Sequence, residues 1–114
     1  MLNAKESGSI GEGKAVKYLE RNGYRILSQN YRFRRFGEID IIAEKDDVII
    51  FIEVKTRSNL SFGTPNESIN RSKINKIRKT ANFFLMNEGL FDKPLRFDVI
   101  EVFSNDVNHI HNAF

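Results

Sequence analysis

Two β-branched runs separated by a short charged turn constrain this chain more than any other feature of its sequence. The runs cover residues 38–44 and 48–56, and residues 45–47 lie between them. Valine and isoleucine favour strands, and so short a connection between two strands indicates an antiparallel hairpin. The second run is almost continuously apolar, which is typical of a strand buried on both faces. We therefore expect this strand to be central, with helices covering both sides of the sheet.

The rest of the chain predicts the elements around this hairpin. Apolar residues at helical spacing predict helices over residues 9–22 and 67–88, each ended by a glycine, Gly23 or Gly89. Residues 58–66 are predicted to form a loop. Further strands are predicted over residues 24–28, 31–36 and 96–103, and residues 108–114 form either an edge strand or a docked tail. The prediction is an α/β fold.

Composition limits the classes of protein to which the chain can belong. Its 114 residues are 40% hydrophobic and 29% charged, which predicts a single globular domain over residues 1–114 with a flexible N-terminus over residues 1–8. The absence of cysteine excludes disulfides and thiolate metal sites. No run approaches the roughly 18 to 20 apolar residues of a membrane span, and no secretory signal is recognised. The expected location is the cytoplasm, without a membrane partner.

Charge is distributed in blocks of alternating sign. Residues 1–37 carry a net charge of +5, residues 38–56 carry −4, residues 57–79 carry +5, and the remainder carries −3. An acidic block between basic blocks is typical of solvated surface charge, and it is also what a metal centre flanked by phosphate-binding surface requires. The sequence leaves both interpretations open.

The hairpin predicts which charged side chains meet. A symmetric turn at residues 46–47 gives a register in which Asp40 faces Glu53 and Glu38 faces Lys55. Opposed residues project from the same face of a sheet, with β-carbons about 4.5 to 5.5 Å apart. Two ionised carboxylates at that separation repel each other unless a cation lies between them or one keeps its proton.

A divalent cation is one solution to this repulsion. Mg²⁺ and Mn²⁺ prefer hard oxygen ligands, often one or two carboxylates, and Asp40 and Glu53 fit that preference. Lys55 could then position an attacking water or neutralise a phosphate. The alternative is an ordinary cross-strand charge pattern on a solvated face, with Glu38 paired to Lys55. Burial argues against that alternative, because Glu53 continues a face that begins with apolar residues.

Three further groups have two interpretations each. Glu12 lies on the apolar side of the first predicted helix, where it either interacts with the helix dipole or supplies a third carboxylate. Lys73 lies in the apolar stripe of the second predicted helix, where it either extends to solvent or points into a phosphate site. His109 and His111 alternate like a metal-binding pair, although edge residues near a chain end are commoner.

Basic residues offer candidate contacts to nucleic acid. The second predicted helix has a basic side, and further arginines precede and follow the hairpin, although each arginine alone is typical of solvated surface. The candidate nucleic-acid-binding residues are Arg34, Arg35, Arg57, Lys73, Lys76 and Lys79.

Five segments together resemble the YraN family of bacterial proteins. The segments are GSIGEGKAVKYLERNGYRIL, NYRFRRFGEIDIIAE, IFIEVKTRSNLSFGTP, SINRSKINKI and RFDVIEV, and the resemblance extends from about Gly8 to Phe114. That family is similar to restriction-endonuclease-like nucleases and to Holliday-junction resolvases. The resemblance implies a restriction-endonuclease-like fold with a mixed central β-sheet flanked by helices.

The resemblance also implies roles for the acids and a lysine. Glu12, Asp40 and Glu53 correspond to the metal ligands of such nucleases, and Lys55 corresponds to their catalytic lysine, with Lys73 a weaker match. The implied function is Mg²⁺- or Mn²⁺-dependent hydrolysis of DNA, including branched or junction DNA, for which a homodimer would be suited. The alternative is a nucleic-acid-binding or adaptor protein that keeps this fold without catalysis.

Overall fold

The computed structural model describes residues 4–57 and 70–114, without the side chains of residues 4–8. The elements of these ranges are α1 (Ala4–Arg21), β1 (Arg25–Phe33), β2 (Gly37–Lys45), β3 (Val48–Arg57), α2 (Arg71–Asn87), β4 (Leu95–Phe103) and β5 (Asp106–Ile110). The predicted loop at residues 58–66 lies outside the described residues, as does the predicted start of the second helix at residues 67–69. The N-terminal residues 1–3 are likewise not described, so the predicted flexible N-terminus stays a prediction.

The strands of the described residues form one mixed sheet in the order β1-β2-β3-β4-β5. β3 and β4 are parallel, and the other neighbouring pairs are antiparallel. Helix α2 lies between β3 and β4 in the chain, as the connection between parallel strands requires. The predicted α/β fold with a mixed central sheet flanked by helices is therefore confirmed, and it is consistent with the nuclease-like fold that the resemblance implies.

The central position of β3 follows from its apolar residues. Ile50 belongs to the core that includes Leu19 of α1, and Phe51 belongs to the core that includes Phe84 of α2. All four side chains are almost inaccessible to solvent. One helix thus covers each face of the sheet, because successive residues of β3 point to opposite faces and both sets are apolar.

The turns place the strands as the sequence predicts. Asp46 and Asp47 have φ values of 52° and 68°, the pair of positive values that a two-residue hairpin turn of type I′ requires. Gly23 and Gly89 follow α1 and α2 with φ values of 84° and 67°, the left-handed conformation expected after a helix.

The strand beside the hairpin differs from the prediction. β1 is one strand from Arg25 to Phe33 with a register shift between Ile26 and Ser28, whereas two shorter strands were expected. Residues 34–36 form a turn instead of continuing the strand, because the Phe36 amide donates to the Phe33 carbonyl at 3.0 Å. The alternation of aromatic and basic residues therefore extends past the end of the strand.

The C-terminal residues combine the two predicted arrangements. β5 is an edge strand paired with β4, and the residues after it dock onto the sheet. The Ala113 amide donates to the Phe97 carbonyl at 2.8 Å, and the rings of Phe97 and Phe114 lie 5.3 Å apart. Among the described residues, neither helix combines the length and apolar composition needed to cross a bilayer.

Candidate metal centre

Asp40 lies where the pairing of β2 with β3 ends. Paired residues have numbers that sum to 93, from Lys45 with Val48 to Ile41 with Ile52. The predicted register is therefore confirmed over the paired residues, and Asp40 is the next residue of β2 beyond them. Its Oδ2 accepts a hydrogen bond from the backbone amide of Val54 at 2.9 Å. The Asp40 side chain thus supplies the acceptor that this part of β3 needs, and it lies beside Glu53.

Glu53 is a buried carboxylate near the first turn of α2. The residue is only 4% exposed, and its Oε2 lies 3.1 Å from Nζ of Lys73. The start of α2 is fixed by Asn70, whose side chain accepts a hydrogen bond from the Lys73 amide at 2.8 Å. This cap positions Lys73 so that its ammonium reaches the end of the hairpin.

Burial and a neighbouring negative charge disfavour the ionisation of both acids. Burial raises the pKa of Glu53 to about 7, and the negative charge of Asp40 adds to the effect. Burial also raises the pKa of Asp40, although the hydrogen bond from Val54 opposes the shift. A carboxylate ionises readily when a cation is near, so a divalent ion between these oxygens would remove the cost of charging both.

The two lysines of the site are shifted in opposite directions. Burial lowers the pKa of Lys55, and the ammonium of Lys73, within hydrogen-bonding reach, lowers it further. Burial alone would lower the pKa of Lys73, but the carboxylate of Glu53 more than compensates and raises it. Lys73 is therefore the permanent cation of the pair, and Lys55 is the lysine that gives up a proton more easily.

Glu12 approaches the same acids from α1. Burial raises its pKa, and the charge of Asp40 raises it further, which shows that the two carboxylates are electrostatic neighbours. Asn30 of β1 connects Glu12 to β2: with its amide nitrogen as donor, it lies 3.2 Å from Glu12 Oε2 and 3.0 Å from Glu38 Oε1. The third predicted carboxylate is thus brought to the end of the hairpin.

Asn30 is a site residue that the sequence interpretation missed. It lies inside β1 with a φ of 53°, a conformation that few residues other than glycine adopt and that asparagine tolerates best. Such irregular backbone is concentrated at functional sites. An asparagine between two predicted strands was the available signal.

A cavity of about 320 Å³ opens beside the two acids on the side of α2. Its lining residues are Gly37, Glu38, Asp40, Glu53, Lys73, Lys76 and Ile77. The carboxylates that line it are hard oxygen donors, and the described lining residues include neither histidine nor cysteine. This donor set fits Mg²⁺ or Mn²⁺ better than a softer transition metal. The ligand role of Glu12, Asp40 and Glu53 remains a prediction.

The alternative pairing of Glu38 with Lys55 is wrong. Glu38 lies opposite Arg32 in the register of β1 with β2, and its Oε2 lies 2.9 Å from the Arg32 guanidinium. The pairing of β2 with β3 ends at Ile41, three residues from Glu38, and on the other side of β3 Lys55 is aligned with Glu101 of β4. Lys55 is consequently left beside Glu53 and Lys73.

The candidate nucleic-acid-binding residues fall into two groups. Lys73 and Lys76 of α2 line the cavity, and Lys79 lies further along the same helix. Arg34 and Arg35 lie in the exposed turn between β1 and β2. Arg57 does not line the cavity beside Asp40 and Glu53. Its guanidinium lies 3.2 Å from the buried Glu101 carboxylate, and it lines a separate cavity against α1.

The histidine pair lies in a different part of the sheet. His109 Nε2 is 2.7 Å from Asp98 Oδ2, and His109 Nδ1 is 3.1 Å from the Tyr18 hydroxyl. Arg96 also donates to both Asp98 oxygens. Burial opposes ionisation of Asp98, yet hydrogen bonds from His109 and Arg96 keep its pKa below the ordinary value. Arg96 therefore already supplies the charge that a cation would bring, and these contacts favour a structural network.

The sequence matches known proteins over nearly its whole length. The model of "Uncharacterised protein family UPF0102" matches residues 11–102. A UPF0102 protein of Clostridioides difficile is 50% identical over 115 residues, which cover 99% of this chain and 100% of that protein. A UPF0102 protein of Persephonella marina is 49% identical over 107 residues, covering 94% and 91%. A third, of Alkaliphilus oremlandii, is 51% identical over 116 residues, covering 96% and 98%. The chain therefore belongs to the UPF0102 family, which is the YraN family that its motifs resemble.

Proposed function

We propose that this protein is a divalent-metal-dependent nuclease that hydrolyses phosphodiester bonds of DNA. The observation that carries the proposal is the meeting of Asp40 and Glu53 at the end of the hairpin, both with raised pKa values, next to Lys55 and Lys73. Buried acids with perturbed pKa values in a cavity are typical of functional sites. Their combination with two lysines matches the demands of phosphodiester hydrolysis better than those of a purely structural ion pair.

Asp40 and Glu53, with Glu12 beside them, are the residues that would hold Mg²⁺ or Mn²⁺. A bound divalent cation polarises a phosphoryl oxygen and makes water a stronger nucleophile at neutral pH. The protein contributes fixed carboxylates, and the hydrogen bond from Val54 keeps Asp40 in place at 2.9 Å. Because this hydrogen bond holds the Asp40 carboxylate before a cation binds, that ligand needs little reorganisation.

The lysines have distinct roles in this proposal. Lys55, whose lowered pKa makes the neutral amine more accessible, orients the attacking water and accepts the proton that the water loses. Lys73 stays protonated, so it leaves Glu53 and pairs with the phosphate when DNA enters the cavity. Lys76, which lines the same cavity, and Lys79, further along α2, extend the positive surface along which the phosphate backbone lies.

Cleavage of DNA in the presence of Mn²⁺ tests the proposal. Junction, flap and duplex substrates are incubated with the purified wild-type chain, with Asp40→Ala and with Asp40→Asn. We expect the wild type to cut at least one substrate and both variants to be slower by about a hundredfold or more, because a lost ligand weakens the cation site. Asp46→Asn is the matched control: it replaces an exposed aspartate at the other end of the same hairpin and should cut like the wild type.

Two outcomes would contradict the proposal: the wild type cuts none of the substrates, or Asp40→Ala cuts as fast as the wild type. The second hypothesis, a nucleic-acid-binding or adaptor protein without catalysis, predicts the first outcome together with DNA binding that weakens with salt. If the natural substrate is branched DNA, junctions should be cut faster than duplexes. The protein should then also be a two-fold homodimer, and a measurement of its mass in solution checks this.

A further inference from the structure

An exposed aromatic ring lies among cations beside the candidate metal centre. Phe36, in the turn between β1 and β2, is 43% exposed, and Nζ of Lys79 lies 5.5 Å from its ring centroid. The ring forms part of a cavity of about 470 Å³ whose lining residues are Phe36, Arg71, Ser72, Asn75, Lys76 and Lys79. Every charged residue in the described part of this lining is basic, so the cavity, here called the Phe36 cavity, favours an anionic ligand.

The Phe36 ring is held in position by the turn and by α2. The Phe36 amide donates to the Phe33 carbonyl at 3.0 Å, and the Phe33 ring stacks on Phe83 of α2 at a centroid distance of 3.8 Å. Gly37 follows so close to α2 that a β-carbon there would lie 3.3 Å from Cβ of Lys76. The turn is thus packed against the helix, and the aromatic surface is formed before any ligand binds.

The Phe36 cavity adjoins the candidate metal centre. Lys76 lines both cavities, and Gly37, which lines the metal-centre cavity, is the next residue after Phe36. The two cavities are therefore neighbours, as the binding of successive nucleotides of one strand would require.

The lining chemistry selects among possible anions. An aromatic face binds a nucleobase by stacking, and the adjacent cations bind its phosphate. In a duplex both faces of each base are covered by neighbouring pairs, so an internal paired base cannot stack on Phe36. A base at a strand end, flap or branch lacks such neighbours and can stack on Phe36. We propose that the Phe36 cavity binds one unpaired nucleotide of DNA, with its base stacked on the Phe36 ring and its phosphate held by Arg71, Lys76 and Lys79.

This inference deepens the proposed function and rests on it for the path of the strand, but the binding step itself needs neither metal nor cleavage. The experiment therefore uses the full chain with a chelator present. The probes are a single-stranded DNA of about twelve nucleotides carrying the fluorescent adenine analogue 2-aminopurine, and a blunt duplex of the same sequence. Quenching of the analogue reports stacking, and titration gives the affinity.

We expect the wild type to quench the single strand, and Phe36→Tyr, which keeps a ring, to do the same. Phe36→Leu should lose the quenching and about fivefold to a hundredfold in single-strand affinity, the range found when a stacking residue is removed. Its affinity for the duplex should change by less than about twofold, because duplex binding depends on phosphate contacts. Phe91→Leu is the matched control: Phe91 is 73% exposed, in an apolar cavity with no charged lining residue.

The proposal is overturned if the wild type leaves the analogue unquenched, if Phe36→Leu binds the single strand like the wild type, or if single strand and duplex lose affinity equally. Where Phe36→Leu does not fold, failure of the wild type or of Phe36→Tyr to quench the analogue still overturns the proposal. A chain that quenches through Phe36 but cuts no DNA with Mn²⁺ retains the nucleotide site and loses the nuclease function, so the two failures are distinguishable.

Discussion

The surroundings of Glu53 shift the pKa of its carboxyl group in opposite directions. Burial and the charge of Asp40 raise its pKa, while Lys73 and Lys55 lower it, and the result is a value of about 7. The folded chain therefore holds a proton at Glu53 more tightly than the unfolded chain, in which the ordinary pKa is 4.5. The contribution of this proton to stability is complete below pH 4.5 and is lost as the pH rises through about 7.

This linkage predicts that the metal-free protein loses stability toward alkaline pH. Between pH 5 and pH 8 the free energy of unfolding of the wild type should fall by on the order of 1 to 3 kcal/mol more than that of Glu53→Gln, which cannot ionise at this position. Urea unfolding at several pH values, with a chelator present, measures the difference. Parallel curves for the two proteins would show that Glu53 is not the buried acid described here.

The residues that were predicted and those that were missed differ in what fixes them. The proximity of Asp40 to Glu53 was predictable because a two-residue turn sets the register of the hairpin. The pairs up to Ile41 and Ile52 follow that register. The ion pair of Glu38 with Arg32 was not predictable in the same way. It depends on the register of β1 with β2, which a shift between residues 26 and 28 changes by one.

At the scale of the elements, α1 and β3 approach each other closely at one glycine. Gly11 of α1 is buried, and a methyl group added there would overlap the side chain of Thr56. Gly13 lies in the same helix with open space around it. Because Glu12 lies between these two glycines, the close approach at Gly11 also determines how near Glu12 comes to the hairpin.

The contrast predicts opposite effects of the same substitution. Gly11→Ala should lower the free energy of unfolding by about 1 to 3 kcal/mol, since helix and strand must separate to admit the methyl group. Gly13→Ala should raise it by about 0.5 to 1 kcal/mol, because alanine is the better helix former and meets no neighbour. Urea or thermal unfolding measures both. Adding Thr56→Ala should restore part of the Gly11→Ala loss.

A close approach of α1 to β3 at Gly11 would be contradicted if the two alanine variants were equally stable. This contact was not predictable from the sequence, because helical periodicity identifies the apolar side of a helix but not how near a sheet lies to it. The turn at residues 34–36 illustrates the same limit. The alternation of aromatic and basic side chains predicted a strand over these residues. They form a turn instead, and the ring of Phe33, just before the turn, stacks on Phe83 of α2.

At the scale of the whole molecule, the candidate metal centre depends on the completed fold. Glu12 comes from α1, Asp40 from β2, Glu53 and Lys55 from β3, and Lys73 from α2. Only the packing of both helices on the sheet brings these side chains to one place. A ligand that binds this arrangement must therefore stabilise the folded chain against the unfolded one.

The fold as a whole was predicted better than the contacts within it. A buried central strand and two amphipathic helices are properties of long sequence patterns, and the mixed sheet with one helix on each face follows from them. The alternating charge blocks, by contrast, left open whether the charge was ordinary solvated surface or an acidic centre flanked by basic surface. The sequence alone could not predict which basic residues adjoin that centre. In the structure, Arg57 is bound to Glu101, whereas Lys76 lines the cavity.

The central claim is that Asp40 and Glu53 together hold a divalent cation, and calorimetric titration of the chain with Mn²⁺ at pH 8 tests it most directly. We predict that the wild type and Glu20→Gln, which replaces an exposed glutamate of α1, bind Mn²⁺ equally, and that Glu53→Gln and Asp40→Asn lose this binding. No binding by the wild type, or equal binding by all four proteins, would contradict the claim.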